Sequence, residues 1–195
     1  IEDFAWPRVL PNLPVIAPCD SIETAAAVEW AASHDGPAFL RLSRVGVPDL
    51  LPAGHKFVLG KANVLRDGDA VTLIANGTLT HRMVKAAELL AAEGIQARVL
   101  NMATVRPIDA EAIVAAARDT GAILTAEEHS VYGGLGSAVA EVVVAEVPVP
   151  MKILGVPGIF APTGSAEFLL DEFGMSPAAV AEAAKALIAR KPARA

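Results

Sequence analysis

Short apolar runs alternate along the chain with longer stretches in which apolar residues recur every three or four positions. Residues 15–17, 38–42, 71–75, 97–101, 123–126 and 151–154 are apolar runs of strand length, and a further strand is expected over 57–66. Residues 21–33, 79–93, 109–118, 136–145, 165–173 and 177–190 carry the helical period. Strands alternating with amphipathic helices predict an α/β fold: a mostly parallel sheet with crossover helices on both faces, three layers in all. Local signals sharpen the ends. Asp20 with Glu23 three positions on has the form of a capping box. Asp109 and Ser176-Pro177 stand where helices begin, and Gly94 and Gly121 where they end. Asp67-Gly68, between two expected strands, is a hairpin-turn signal.

These elements divide the chain unevenly. Residues 59–190 read as a complete doubly wound unit. Residues 45–58 have no period and contain two prolines and two glycines, which reads as a linker. Residues 1–44 offer two strands, one clear helix and a short first helix disturbed by Trp6-Pro7. Two strands cannot support a parallel sheet covered on both faces. This piece is therefore expected to be the truncated end of a larger sheet, completed by preceding residues or by a partner. Residues 191–195 read as a tail.

Composition narrows the function. Net charge is −6 with a sequence pI of about 5.2, and outside Arg190, Lys191 and Arg194 no basic run forms, which argues against nucleic acid as a partner. No apolar stretch has the length of a membrane span, and residues 1–20 lack a signal-peptide pattern. Cys19 is the one cysteine, so no internal disulfide can form. The expectation is a cytoplasmic protein. The first residue is Ile1 rather than Met, so earlier residues are expected.

Several strings share one resemblance, and they follow one another in order over nearly the whole chain. Ile1-Glu2-Asp3, Leu10-Pro11-Asn12-Leu13-Pro14, Asp20, Glu23-Thr24, Gly36-Pro37 and Leu42-Ser43-Arg44 resemble the end of the pyrimidine-binding domain of transketolases. Glu127-Glu128-His129, Gly133-Gly134-Leu135-Gly136-Ser137 and Gly155-Val156-Pro157 resemble the transketolase C-terminal domain. The chain is most similar in layout to the separately encoded C-terminal subunit of split bacterial transketolases. The resemblance implies transfer of a two-carbon ketol unit between sugar phosphates. It implies thiamine diphosphate and a divalent metal such as Mg2+ in the full enzyme, with neither expected on this chain alone. The family's catalytic glutamate, and a histidine just before the Ile1 match, would lie N-terminal to residue 1, so no catalytic residue is expected in the chain. The metal-holding Gly-Asp-Gly motif belongs to a pyrophosphate domain, and Asp67-Gly68-Asp69 is not that motif. Implied partners are an N-terminal pyrophosphate-domain subunit, or missing N-terminal residues, and a second copy paired through the C-terminal domain. Three alternatives stay open: a 2-oxoacid dehydrogenase β subunit, a 1-deoxyxylulose-5-phosphate synthase, or a non-catalytic assembly module.

Arg44 is the leading site residue. It ends an expected strand and opens a glycine-containing loop, where ligands gather in open α/β sheets, and Arg binds phosphate bidentately. The resemblance gives it the substrate's terminal phosphate; a surface or interdomain ion pair is the bland alternative. Arg41, three residues earlier, is expected to point the other way and to be structural. Glu128, His129, Gly134, Gly136 and Ser137 form an interface or anion site. The glycines precede a helix whose free N–H groups attract anions, although a tight, closely packed turn is the plainer reading. Glu127, Glu128 and His129 lack the second ligand cluster that a metal needs. The resemblance places them near the subunit interface, so interface hydrogen bonding is expected of them. Cys19 is expected to be a quiet, partly buried thiol, and His34, His55 and His81 ordinary surface histidines.

Overall fold

The computed structural model describes residues 1–192; the end of the expected tail lies outside the described residues. Strand β4 (Val71–Ala75) is buried at all five positions, and its neighbours explain why. It pairs in parallel with β5 (Ala97–Asn101) on one side and β7 (Ile123–Ser130) on the other. Parallel β8 (Met151–Val156) and antiparallel β3 (Asn63–Arg66) complete the order β3-β5-β4-β7-β8. Val71, Leu73 and Ala75 pack with α3 (Leu79–Ala92) and α7 (Pro177–Ile188). Ile74 packs with α4 (Ala110–Thr120) and α5 (Leu135–Glu146) on the opposite face. The result is the expected three-layer α/β arrangement, with α6 (Ala166–Glu172) added beside it. The alanine-rich helices supply core, since Ala116, Ala117, Ala181 and Ala184 are buried. Each fully buried leucine or methionine, such as Leu73 or Met83, stabilises the fold by roughly 1.5–3 kcal/mol.

A second, three-stranded sheet has the order β2-β1-β6. β1 (Val15–Ile16) pairs in parallel with β2 (Phe39–Leu40) and antiparallel with β6 (Thr104–Arg106). The chain passes from one sheet to the other directly after β5: Met102 N–H donates to Ala75 O at 2.8 Å, and Ala17 N–H donates to Ala103 O at 2.8 Å. The opening residues are therefore fixed to the larger sheet on one flank. Phe4, Val15, Ala17, Val105 and Ala138 form a small core at the join. Two helices belong to this part, α1 (Ala5–Arg8) and α2 (Ser21–Ser33). The outer edge of β2 pairs with no strand among the described residues.

Two expectations are corrected. β3 and β4 do not form a hairpin across Asp67-Gly68, because β5 lies between them. The connecting residues cross the start of β5, where Asp69 and Ala70 N–H both donate to Gln96 O. The turn signal is local, whereas β4 is apolar throughout and needs a partner on each side. The opening piece is also not limited to two strands, since β6 adds a third; three residues are too few to show alternation.

Candidate functional site

The carboxyl ends of β1, β2, β4 and β7 meet in one region, where ligands collect in open α/β sheets. After β1 come Pro18, Cys19 and Asp20, after β2 come Arg41, Ser43 and Arg44, and after β4 come Asn76, Gly77 and Thr78. A cavity of about 410 Å³ opens there, lined by Asp20, Ser21, Ser43, Arg44 and Thr78. Arg44 is exposed, and its guanidinium has no hydrogen-bond or ion-pair partner among the described residues. Its charge is thus available to an anion in the cavity.

Arg41 behaves differently. Its Nε donates to Asp3 Oδ2 at 2.7 Å, and its guanidinium lies 5.2 Å from the centre of the Phe4 ring. Glu128 Oε1 stands 3.9 Å from Arg41 Nη2 and Glu128 Oε2 accepts from Thr78 Oγ1. Arg41 and Glu128 therefore tie the opening residues to the loop after β4 and to β7 itself.

The Glu127–His129 segment and the glycine turn form one internal device. Glu127 is fully buried and accepts from Leu135 N–H at 2.6 Å and Gly136 N–H at 2.9 Å. Its carboxyl takes up the N–H groups at the N-terminus of α5 that an external anion would need, and the turn is closely packed. Glycine is required because a Cβ on Gly134 would stand 2.0 Å from Glu127 Oε2, and one on Gly136 would stand 2.4 Å from Ile153 Cγ2. Ser137 Oγ accepts from Gly133 N–H at 2.9 Å. Burial pushes the Glu127 carboxyl up to about 7, against the pull of the two N–H donors, Arg8 and Arg41.

His129 is buried as well. Its Nε2 accepts from Phe4 N–H at 3.1 Å, which leaves Nδ1 to donate to Ser130 O at 2.7 Å. Burial lowers its pKa and keeps it neutral. Its ring stacks on Phe4 at 5.1 Å. Arg8 extends the same contact, donating to Gly133 O at 2.8 Å and pairing with Glu141 at 2.7 Å. His129 thus joins the two sheets within one chain.

Two carboxylates matter more than the sequence disclosed. Glu23 is fully buried and accepts from Cys19 N–H at 2.8 Å, Asn101 Nδ2 at 2.8 Å and Asn63 Nδ2 at 3.0 Å. Burial raises its pKa. Asp20 accepts from Glu23 N–H at 2.8 Å, as the capping pattern predicts. Its second oxygen accepts from Leu50 and Leu51 N–H at 2.8 and 2.9 Å. The reciprocal half of the capping box is displaced by one residue, because Glu23 reaches Cys19 N–H rather than Asp20 N–H. Cys19 is fully rather than partly buried, and burial beside Glu23 and Asp20 pushes its thiol far up. His34 is not a plain surface group, since its ring stacks on Trp30 at 4.6 Å.

Among the described residues, no group of three or more His, Cys, Asp or Glu is placed to hold a metal ion. No helix among the described residues is long and apolar enough to cross a membrane.

The family profile described as "Transketolase, C-terminal domain" matches residues 60–180. The chain belongs to the transketolase family. A solved structure described as a split gene transketolase, inactive beta4 tetramer, superposes on this chain with a TM-score of 0.91 and 44% identity. It is matched over 98% of this chain and 62% of its own. The 6-deoxy-6-sulfo-D-fructose transketolase subunit SqwH of Clostridium sp. (strain MSTE9) is 40% identical over 191 residues. That match takes in 98% of this chain and 59% of the relative, so the chain spans about three fifths of the relative's length. A 1-deoxy-D-xylulose-5-phosphate synthase of Symbiobacterium thermophilum (strain DSM 24528 / JCM 14929 / IAM 14863 / T) is 38% identical over 194 residues, 97% of this chain and 30% of the relative. The transketolase resemblance read from the residue strings agrees with these matches. The profile covers the strands of the five-stranded sheet together with β6, while Arg44 and strands β1 and β2 precede its first residue.

Proposed function

We propose that this chain is the C-terminal part of a transketolase that transfers a two-carbon ketol unit between sugar phosphates. In this reading residues 1–44 end a pyrimidine-binding domain, residues 45–58 link it onward, and residues 59–190 form the C-terminal domain. The observation that carries it is the unpartnered Arg44 guanidinium at the carboxyl end of β2, beside a cavity of about 410 Å³. Arg44 grips the substrate's terminal phosphate there through paired charge-assisted hydrogen bonds. Arg41, held by Asp3, fixes the strand end from which the Arg44 loop departs.

Thiamine diphosphate with its divalent metal supplies an electron sink for carbon–carbon bond cleavage when bound. The metal-holding residues of this reading lie on a pyrophosphate-domain partner. The open edge of β2 supports a neighbouring strand from further polypeptide, either N-terminal residues or a partner subunit. The five-stranded unit pairs with a second copy. A single buried thiol and a mildly acidic surface fit a cytoplasmic setting.

The test is steady-state kinetics on the assembled enzyme. Arg44→Ala is expected to raise KM for a phosphorylated ketose about tenfold or more, as loss of one charged contact implies. KM for the unphosphorylated ketose should change little. Equal effects on both would remove Arg44 from the phosphate site. The match to a 1-deoxy-D-xylulose-5-phosphate synthase favours a second reading in which the same arginine serves a different reaction. Conversion of xylulose 5-phosphate with ribose 5-phosphate as acceptor decides for the first.

A further inference from the structure

Arg44 lies on an arc of chain without helix or strand, so something else must hold the arc in place. At its start, Arg41 N–H donates to Ile16 O at 2.8 Å, the last backbone bond of the β1–β2 pairing. Within the arc, Val45 N–H donates to Ser43 Oγ. At its end, Leu50 and Leu51 N–H both donate to Asp20 Oδ2, and Leu51 is buried. Ser21 Oγ adds a hydrogen bond to Asp49 at 2.6 Å. Beyond Leu51, the next hydrogen bond from this stretch to another element among the described residues is Gly60 N–H to Thr104 Oγ1.

We infer that Asp20 is a positioning residue for the Arg44 loop: one carboxylate oxygen starts α2 and the other anchors the far end of the loop. This inference rests on the proposed phosphate role of Arg44. Asp20 is suited to it because it is 4% exposed and ionised acceptors form the stronger bonds to backbone N–H. It also lines the cavity beside Arg44 and Ser43. Without the anchor, the far end of the arc is held only by the Ser21–Asp49 hydrogen bond and by the burial of Leu51. A looser arc spreads the guanidinium over more positions and weakens its grip.

The test compares Asp20→Ser with Arg44→Ala in the assembled enzyme. Serine keeps the helix cap, because one oxygen is enough for Glu23 N–H and serine is a favoured cap residue. It has no second oxygen for Leu50 and Leu51. Asp20→Ser is therefore expected to fold with a melting temperature lowered by several degrees, and to speed amide hydrogen exchange at Leu50 and Leu51 beyond the rest of the chain. KM for a phosphorylated ketose should rise roughly three- to tenfold while KM for its unphosphorylated counterpart holds, the size of a partly lost charged contact. Ser21→Ala, which leaves the Asp20 carboxylate in place, should shift the same ratio less and in the same direction. If Arg44→Ala changes the ratio and Asp20→Ser does not, or Asp20→Ser raises both KM values equally, the positioning role is overturned and the phosphate role stands. If Arg44→Ala leaves the ratio unchanged, the phosphate role fails, and the inference fails with it.

Discussion

Glu127 is buried at the N-terminus of α5 with its carboxyl raised to about 7 from an ordinary 4.5. Between those values the folded chain binds a proton that the unfolded chain does not. The contribution of Glu127 therefore strengthens folding as pH falls through 7, and is weakest above 7. Glu127→Gln removes this titration and keeps the shape. Urea melts should show the variant less stable than the parent, by a margin that shrinks from pH 5 to pH 8. A margin that grows over that range would show that the carboxylate is favoured by the fold. His129 titrates in the opposite sense: its pKa is lowered, so its contribution is lost as pH falls below 6.5. Its Nδ1 stands 3.8 Å from Glu127 Oε2, so the comparison reads Glu127 most directly above pH 6.5 and the two groups together below it. The sequence displayed Glu127, Glu128, His129 and the glycines as one cluster. It could not display that the acceptor at the helix start is the Glu127 carboxyl itself, because that depends on the path from β7 back over the helix start.

At the scale of elements, Gly68 marks the crossing that separates β3 from β4. A Cβ there would lie 2.5 Å from Ala97 C, 2.5 Å from Gln96 O and 2.7 Å from Arg98 N. All three are backbone atoms of the β5 start and cannot turn away. Gly68→Ala is expected to destabilise the fold by about 2 kcal/mol or more. Gly94→Ala is the control: its Cβ would meet nothing within 4 Å, and only the positive φ of 81° opposes it. That change should destabilise by about 1 kcal/mol. Chemical denaturation of the two variants checks the order, and equal losses would contradict the crossing. Helix starts were legible because caps are local: Asp20, Asp109, Ser165 and Ser176 each accept from an N–H three residues on. Strand pairing was less so. A turn signal at Asp67-Gly68 cannot say which strand comes to lie beside β3, and β6 is too short to carry a pattern.

At the scale of the whole molecule, two sheets are joined by a continuous strand path through residues 101–104 and by buried polar contacts. Glu23 bonded to Asn101, and His129 bonded to Phe4, hold the smaller sheet from both sides. The three-layer unit was readable from periodicity, since its strands are apolar runs and its helices carry the helical period. The smaller sheet was expected to be a truncated end, because two short strands cannot form a parallel sheet of their own. Its attachment through β6 was not readable. The edge of β2 is where the proposal requires further polypeptide, and the metal-holding residues are assigned to that further part. Calorimetric titration of thiamine diphosphate with Mg2+ into the purified chain, alone and then together with the pyrophosphate-domain partner, tests this most directly. The account predicts no binding heat with the chain alone and saturable binding once the partner is present. Tight, stoichiometric binding to the 195-residue chain by itself would contradict it.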